Sequence, residues 1–348
     1  MLRLFGSSRH QPHRVECFAN GWACTSTRRG LTGSTGTRSL LWSKIRSGTL
    51  HRPRSSTNST KHRRFDGFAH NCLGLGWVTF QRNTGEMEEV LKGGVANAGA
   101  VTRVGEHVLR PANAHTPTIH RFLRQLADEG FAGAPLPVGV DQDGRERLRF
   151  VFGEVALPPY PVWARSDEAL ASIARLLSRF HRAARTFPER ASDTWSDEMA
   201  DPAGGSVVCH NDVCLENVVF RHGEAVALLD FDFAAPGRPA YDVACFARMC
   251  VPIDDDENRA RFGWQGEDLP ARLRLVAEEY GLDLEERSAV VAALDASIAR
   301  GGEFVRRRVE AGDPNFAAMW AEMGGMTRFD RRRTWWNLSR PNFVAAMS

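Results

Sequence analysis

The sequence predicts an α+β chain of two lobes, a small antiparallel β-rich part followed by a larger, mainly helical one. Three observations carry this. Hairpin-like apolar runs separated by Gly-containing turns fill the stretch from Glu88 to Phe152. Apolar stripes at helical spacing take over from Ser166 and recur through most of the remainder. Between the two, the Pro-rich stretch Pro158 to Pro161 marks a boundary. A length of 348 residues suits two or more compact units at ~100–200 residues per domain, and a hydrophobic content of 43 % is enough to fill their cores.

Charge divides the chain before any motif does. Residues 1–85 hold fourteen Lys/Arg against two acids, Glu16 and Asp66, whereas residues 86–348 hold thirty-one basic and forty acidic residues, a net −9. The first 86 residues, rich in Ser, Thr, Gly, Arg and His, lack the periodicity of a packed core and are expected to be a disordered leader. Their composition fits a transit peptide, a basic nucleic-acid arm, or sequence upstream of a true start at Met87. No apolar run approaches the ~18 residues needed to span a bilayer, so no membrane partner is expected. The seven cysteines are odd in number and show no paired C-x2-C spacing, so neither a zinc site nor a disulfide framework is indicated and a reduced, cytoplasmic setting is expected.

Residues 87–153 are expected to form the first lobe. Glu88 to Leu91 leads into a Gly-rich turn, Lys92 to Gly99, whose Gly93, Gly94 and Asn97 can bring backbone N–H groups close to a phosphate. Ala100 to Val104 and His107 to Arg110 pair across the turn Gly105-Glu106. Thr116-Pro117 opens a helix with Thr116 as its cap, and Ile119, Phe122, Leu123 and Leu126 share one face. Ala134 to Val140 and Arg147 to Phe152 read as strands around Asp141 to Gly144.

Residues 154–348 are expected to form the second lobe. Ser166 caps a long helix with Asp167 and Glu168 in its first turn and Leu170, Ile173, Leu176, Leu177 and Phe180 as its buried stripe. An apolar run, Ser206 to Cys209, then enters a polar turn carrying His210, Asp212 and Asn217. Val218-Val219, the turn Arg221 to Glu224 and the strand Ala225 to Leu229 follow and deliver Asp230. Helices are expected over Tyr241–Val251, Leu269–Tyr280, Leu284–Arg300 and Glu303–Ala311. The acidic run Asp254 to Glu257 reads as a solvated loop or as an attractor for a cationic acceptor. Trp320, Trp335 and Trp336 are core or substrate walls.

The chemistry concentrates in the turn and hairpin. Asp212 and Asn217, with Asp230 brought alongside, put three hard oxygen groups at one point, as magnesium requires when few protein ligands and substrate phosphates hold it. Phosphoryl transfer of the kinase type uses one Asp to orient the acceptor hydroxyl and an Asn and a second Asp on the metal. His210-Asn211-Asp212 with Asn217, then Leu229-Asp230-Phe231, then Gly237 with Asp242-Val243-Ala244, resembles the aminoglycoside phosphotransferase and choline kinase superfamily, whose loop reads His-Gly-Asp-x4-Asn. The resemblance implies a bilobal protein-kinase-like fold, a small antiparallel β-rich N-lobe and larger mainly helical C-lobe, and transfer of the γ-phosphoryl of ATP or GTP to a hydroxyl of a small-molecule acceptor, aminoglycoside-like or another amino or hydroxy compound, with Mg2+. It further implies Asp212 as catalytic base and Asn217 and Asp230 as metal ligands. His210 would brace the loop, Asp242 would anchor it, and Asp232 would be a second acid within reach.

Two positions depart from the family pattern. The lysine that would pair the ATP phosphates is Arg110, and the glutamate that would pair that lysine is His120. The hinge that binds adenine would be the backbone of Phe150 to Phe152. The alternative reading is a nucleotide-binding pseudokinase without turnover.

Overall fold

The computed structural model describes Arg82, Asn83, residues 86–91 and residues 99–348. The basic segment up to residue 81 and the Gly-rich turn from Lys92 to Ala98, with Gly93, Gly94 and Asn97, lie outside the described residues. The architecture is α+β: an antiparallel sheet first, helices after it.

The sheet comprises β1 (Arg82–Asn83), β2 (Glu86–Val90), β3 (Thr102–Val104), β4 (His107–Pro111), β5 (Pro137–Val140) and β6 (Arg145–Arg149), in spatial order β1-β2-β3-β4-β6-β5. Gly105 and Gly144, at φ 58° and 76°, turn the chain where a side chain would strain it. Between β4 and β5 runs α1 (Thr116–Asp128), which buries Ile119, Phe122, Leu123 and Leu126 as its spacing predicts. Thr116 lies one residue inside this helix rather than capping it, and its hydroxyl accepts from the Asn113 N–H instead. β6 ends at Arg149, so residues 150–152 leave the sheet.

The helical part begins with α2 (Asp167–Ala184), capped by Ser166, whose hydroxyl accepts from the Ala169 N–H at 3.1 Å. Four short strands follow: β7 (Val207–Cys209), β8 (Val218–Arg221), β9 (Glu224–Leu228) and β10 (Ala235–Gly237). β8 and β9 form a hairpin, and β10 returns antiparallel to β7. A Cβ on Gly205 would overlap the Gly237 carbonyl, so this close passage needs glycine. Gly153, with φ 148°, similarly lets the segment leaving the sheet lie against β8. There Glu154 and Phe220 exchange backbone hydrogen bonds of 2.9 and 2.7 Å. The segment leaving the sheet is thus stitched to the β8–β9 hairpin.

The remaining helices are α3 (Pro239–Cys250), α4 (Asp256–Arg261), α5 (Leu269–Tyr280), α6 (Leu284–Glu310), α7 (Pro314–Glu322) and α8 (Gly325–Met347). α6 runs unbroken through Gly301-Gly302, where the sequence predicts two helices. Each glycine costs roughly 1 kcal/mol of helix propensity. Here both are contact sites: a Cβ on Gly301 would sit 3.1 Å from the Arg248 guanidinium, and one on Gly302 3.0 Å from the Phe329 ring.

The acidic run is neither a solvated loop nor a free attractor. Asp254 and Asp255 are buried. Asp254 accepts from Arg328 at 2.8 Å and from Asn258 at 2.5 Å, and faces Arg332 at 3.6 Å. Asp255 caps α4 and takes Arg331 at 3.0 Å. Trp336 is core, its indole N–H donating to Asp295, and Trp335 packs on the same core. Trp320 stacks on Phe329. Removing one member of a buried ion pair leaves its partner uncompensated, so Asp254→Ala should lower stability by about 3–5 kcal/mol in urea unfolding, whereas Asp256→Ala, on the exposed side of the run, should change it by under ~0.5 kcal/mol.

Candidate active site

The loop is built around a carboxylate that is not part of it. Asp242, in the first turn of α3, is fully buried. One of its oxygens accepts from the His210 N–H at 2.7 Å and from His181 Nε2 at 2.9 Å, and the other from the Asn211 N–H at 2.7 Å. His181 is held from behind by the Tyr280 hydroxyl at 2.7 Å. Burial works against the charged carboxylate, but the His181 hydrogen bond, the two histidines and the His210 N–H outweigh it and keep Asp242 below the usual carboxylate range. Together with Cys209, His181 and Asp242 form a buried cluster of metal-ligand type. Its groups already bond one another and the backbone, and it acts as a structural hub.

Gripped in this way, the chain turns sharply. Asn211 adopts φ 64°, the left-handed conformation that Gly adopts freely and Asn tolerates, and its side-chain amide donates to the Phe233 carbonyl at 2.9 Å. His210 Nε2 lies 2.8 Å from the Leu229 carbonyl. A carbonyl only accepts, so Nε2 carries the proton and Nδ1 is left to accept from the Asp212 N–H at 3.3 Å. Burial pushes the His210 pKa down, which suits this neutral tautomer.

Asn217 ties the loop to the hairpin. Its amide nitrogen donates to the Asp212 carboxylate at 3.0 Å and to the Asp212 carbonyl at 2.9 Å, and its carbonyl accepts from the Leu229 N–H at 2.8 Å. The hairpin then delivers Asp230, also left-handed at φ 60°, followed by Phe231 and Asp232. Phe231 is buried against Phe122, Phe180 and His210. Asp230 and Asp232 flank this anchor, and both meet Arg110.

Arg110 Nη1 donates to Asp230 at 2.7 Å and Nη2 to Asp232 at 2.6 Å. Its Nε donates to Glu146, the residue directly opposite on β6, and the other Glu146 oxygen lies 2.8 Å from His120 Nε2. Asn113 adds a 3.4 Å contact to Asp232. Burial opposes the charge on Glu146, but the hydrogen bonds from His120 and Arg110 hold its pKa low. Burial pushes Asp232 up against the pull of Arg110. Asp212 is pushed up to about 8, by burial first and by the charge of Asp230 second, with Arg248 opposing. The amide oxygen of Asn217 and the second carboxylate oxygen of Asp230 accept no hydrogen bond among the described residues, so this donor set fits a hard divalent cation.

The structure therefore brings Asp212, Asn217, His210 and Asp242 into one bonded unit, and Arg110, Asp230 and Asp232 into another. Leu229 joins the two. Phe152 stands apart, 45 % exposed, with its carbonyl accepting from Arg221. Glu146 was not anticipated. Strand alternation places it on the face of Leu148, inside, and that alternation was the available signal. Also unanticipated is an aromatic row beside the loop, Phe233–Phe304–Phe316, with ring spacings of 5.2 and 5.3 Å.

Residues 186–276 match the model of the phosphotransferase enzyme family. The trifolitoxin immunity protein of Rhizobium leguminosarum bv. trifolii is 33 % identical over 199 residues, which cover 56 % of this chain and 75 % of that one. Among solved structures, a choline/ethanolamine kinase family protein from Mesorhizobium loti superposes with a TM-score of 0.49 at 16 % identity, covering 78 % of this chain and 92 % of its own. The GDP complex of an aminoglycoside 2'-phosphotransferase gives 0.46 at 15 % identity, covering 74 % and 93 %.

The Asp242 hub sets a pH dependence. A carboxylate held low in the fold adds stability that is complete above its unfolded pKa of ~3.9 and is lost as pH falls through the lower folded value. Asp242→Asn should be destabilised by roughly 3 kcal/mol at neutral pH. In urea unfolding, its gap from the wild type should close as the pH drops below about 4.

Proposed function

Because the chain belongs to the phosphotransferase enzyme family, we propose that it transfers the γ-phosphoryl group of ATP or GTP to a hydroxyl of a small molecule. The bond between the γ-phosphorus and the β–γ bridging oxygen breaks, a new P–O bond forms to the acceptor oxygen, and the acceptor proton passes to Asp212. Support comes from the Asn217–Asp212 hydrogen bond and from the backbone bond that keeps Asp230 in register with both. A pKa near the working pH suits a group that takes up a proton as the bond forms.

Asn217 and Asp230 would hold magnesium, which neutralises phosphate charge during transfer. His210 and Asp242 keep the loop in shape without touching substrate. In this reading residues 87–153 bind nucleotide, with Gly93, Gly94 and Asn97 over the phosphates, Arg110 as their cationic clamp and Phe152 at the adenine, and residues 154–348 hold the acceptor in a cytoplasmic setting. Phe233 and Phe304 offer the acceptor an apolar wall. The immunity protein's name fits a reading in which phosphorylation disarms a toxic compound.

The alternative, a nucleotide-binding module without turnover, drew on the missing lysine–glutamate pair. Glu146 weakens it, because Arg110 has an acidic partner after all, from the neighbouring strand rather than from α1.

Asp212→Ala should lower kcat by roughly 10²–10⁴-fold while leaving nucleotide affinity and the unfolding midpoint in place. Wild-type turnover in that variant, measured with labelled ATP and the acceptor found by screening, would refute the assignment. Glu146→Ala removes the strand-side anchor of Arg110, leaving it to Asp230 and Asp232, and should raise the nucleotide KM about tenfold with a smaller effect on kcat.

A further inference from the structure

Arg248 is a largely buried cation with no ion-pair partner among the described residues. It lies in the last turn of α3, the helix whose first turn carries Asp242. Only 8 % of it is exposed. Its Nε donates to the Ser297 hydroxyl of α6 at 3.1 Å, and Gly301, one turn further on, leaves room for the guanidinium. Neither terminal nitrogen has a hydrogen-bond acceptor, and no carboxylate lies within 4 Å of it, among the described residues. Nitrogens that lack a partner and are sealed from solvent occur in this chain, at Arg272 Nε and Arg308 Nε for example, but the terminal nitrogens of Arg248 are not of that kind. They remain open to a ligand.

The surrounding charges do not supply the missing anion. Arg328 and Arg332 lie close enough to repel Arg248. The two buried acids of that neighbourhood are already taken, Asp254 by Arg328 and Arg332, and Asp255 by Arg331. A guanidinium withdrawn this far from water and given no ion-pair partner is costly to keep. Residues kept at such a cost are characteristic of binding sites, where function opposes stability. On the other side, the last turn of α3 touches the loop, where the Cys250 thiol donates to the carbonyl of Val213, the residue after Asp212, at 3.8 Å.

We infer that Arg248 binds a carboxylate on the acceptor, so that the phosphorylated molecule is a hydroxy acid or an amino acid derivative rather than a polycation. This rests on the reading of Asp212 as the group that meets the acceptor hydroxyl. A guanidinium holds a carboxylate by paired, charge-assisted hydrogen bonds, which would orient the acceptor with its hydroxyl toward Asp212. The acidic run that might have drawn a polyamine is consumed by arginines.

The test uses the full chain, with acetate as probe and chloride at matched ionic strength as control. Arg248→Met should fold with a melting temperature equal to or above that of the wild type, since it removes an unpaired buried charge. A clearly lower value would make Arg248 a structural residue and overturn the inference. Acetate should raise the melting temperature of the wild type beyond chloride, and Arg248→Met should weaken acetate binding on the order of ten- to a hundredfold. Equal stabilisation of both proteins, or of neither, would overturn it. Nucleotide affinity should be unchanged in Arg248→Met, and a matching loss there would assign the guanidinium to the nucleotide phosphates instead. Asp212→Asn should bind acetate at least as tightly as the wild type does, and a loss of binding there would overturn the assignment to Arg248. Binding thus reads the anion site, while turnover by the wild type separately reads the phosphotransfer assignment.

Discussion

A single buried carboxylate organises the loop from His210 to Asn217. Asp242 has four lone-pair sites and is sealed from bulk solvent, so it collects donors from the protein. Those it collects are two consecutive backbone N–H groups, of His210 and Asn211, and the His181 ring. Two adjacent N–H groups can aim at one carboxylate only if the chain bends sharply there, which explains the left-handed Asn211. That bend sends Asp212 away from the hub toward Asn217 and the hairpin. Substitution at Asn211 by a β-branched residue would thus break the geometry even though Asn211 touches no substrate in the proposed reaction.

The second unit works by a different balance. Three carboxylates, Glu146, Asp230 and Asp232, converge on one guanidinium. Desolvating a charge costs several kcal/mol, and one arginine among three acids recovers this for itself more completely than for them. The unit keeps a formal charge of −2 before His120 is counted. Arg110 therefore holds the acids together without saturating them, and the surplus is what a divalent ion would neutralise. Because Arg110 and Glu146 are opposite one another across β4 and β6, their ion pair is as rigid as the sheet that carries it.

Much of this was legible in the sequence because local rules decided it. The hairpin turns at Gly105 and Gly144, the Ser166 cap and the apolar stripe of α2 follow from turn chemistry, capping and periodicity. The failures came where a distant residue overrode a local preference. Gly301-Gly302 reads as a helix break until Arg248 and Phe329 are seen to need the space. Asp254 and Asp255 read as solvated until the arginines of α8, over seventy residues away, are brought against them. Glu146 sits in the run Arg-Glu-Arg-Leu-Arg, where charge hides the alternation that turns it inward. His120 looked like a missing acid, yet it bonds the acid that replaces it.

The two ends of α3 connect these features. Its first turn fixes the loop through Asp242, and its last turn presents Arg248 some six residues, or about 9 Å of helix, further along. Any shift of α3 along its axis would move the loop backbone and the guanidinium together. The spacing between Asp212 and the Arg248 guanidinium is therefore set by one helix packed on α6, not by independent loops. Charge is divided along the same line, with a negative surplus around Asp230 and a positive one at Arg248. On the proposed reading, an acceptor lying between them would be oriented by its own polarity: an anionic group would be drawn to Arg248 and repelled by the acids, which would leave the hydroxyl end nearest Asp212. A polycation would meet the reverse field, and Arg248 would then be a buried charge with nothing to offset it.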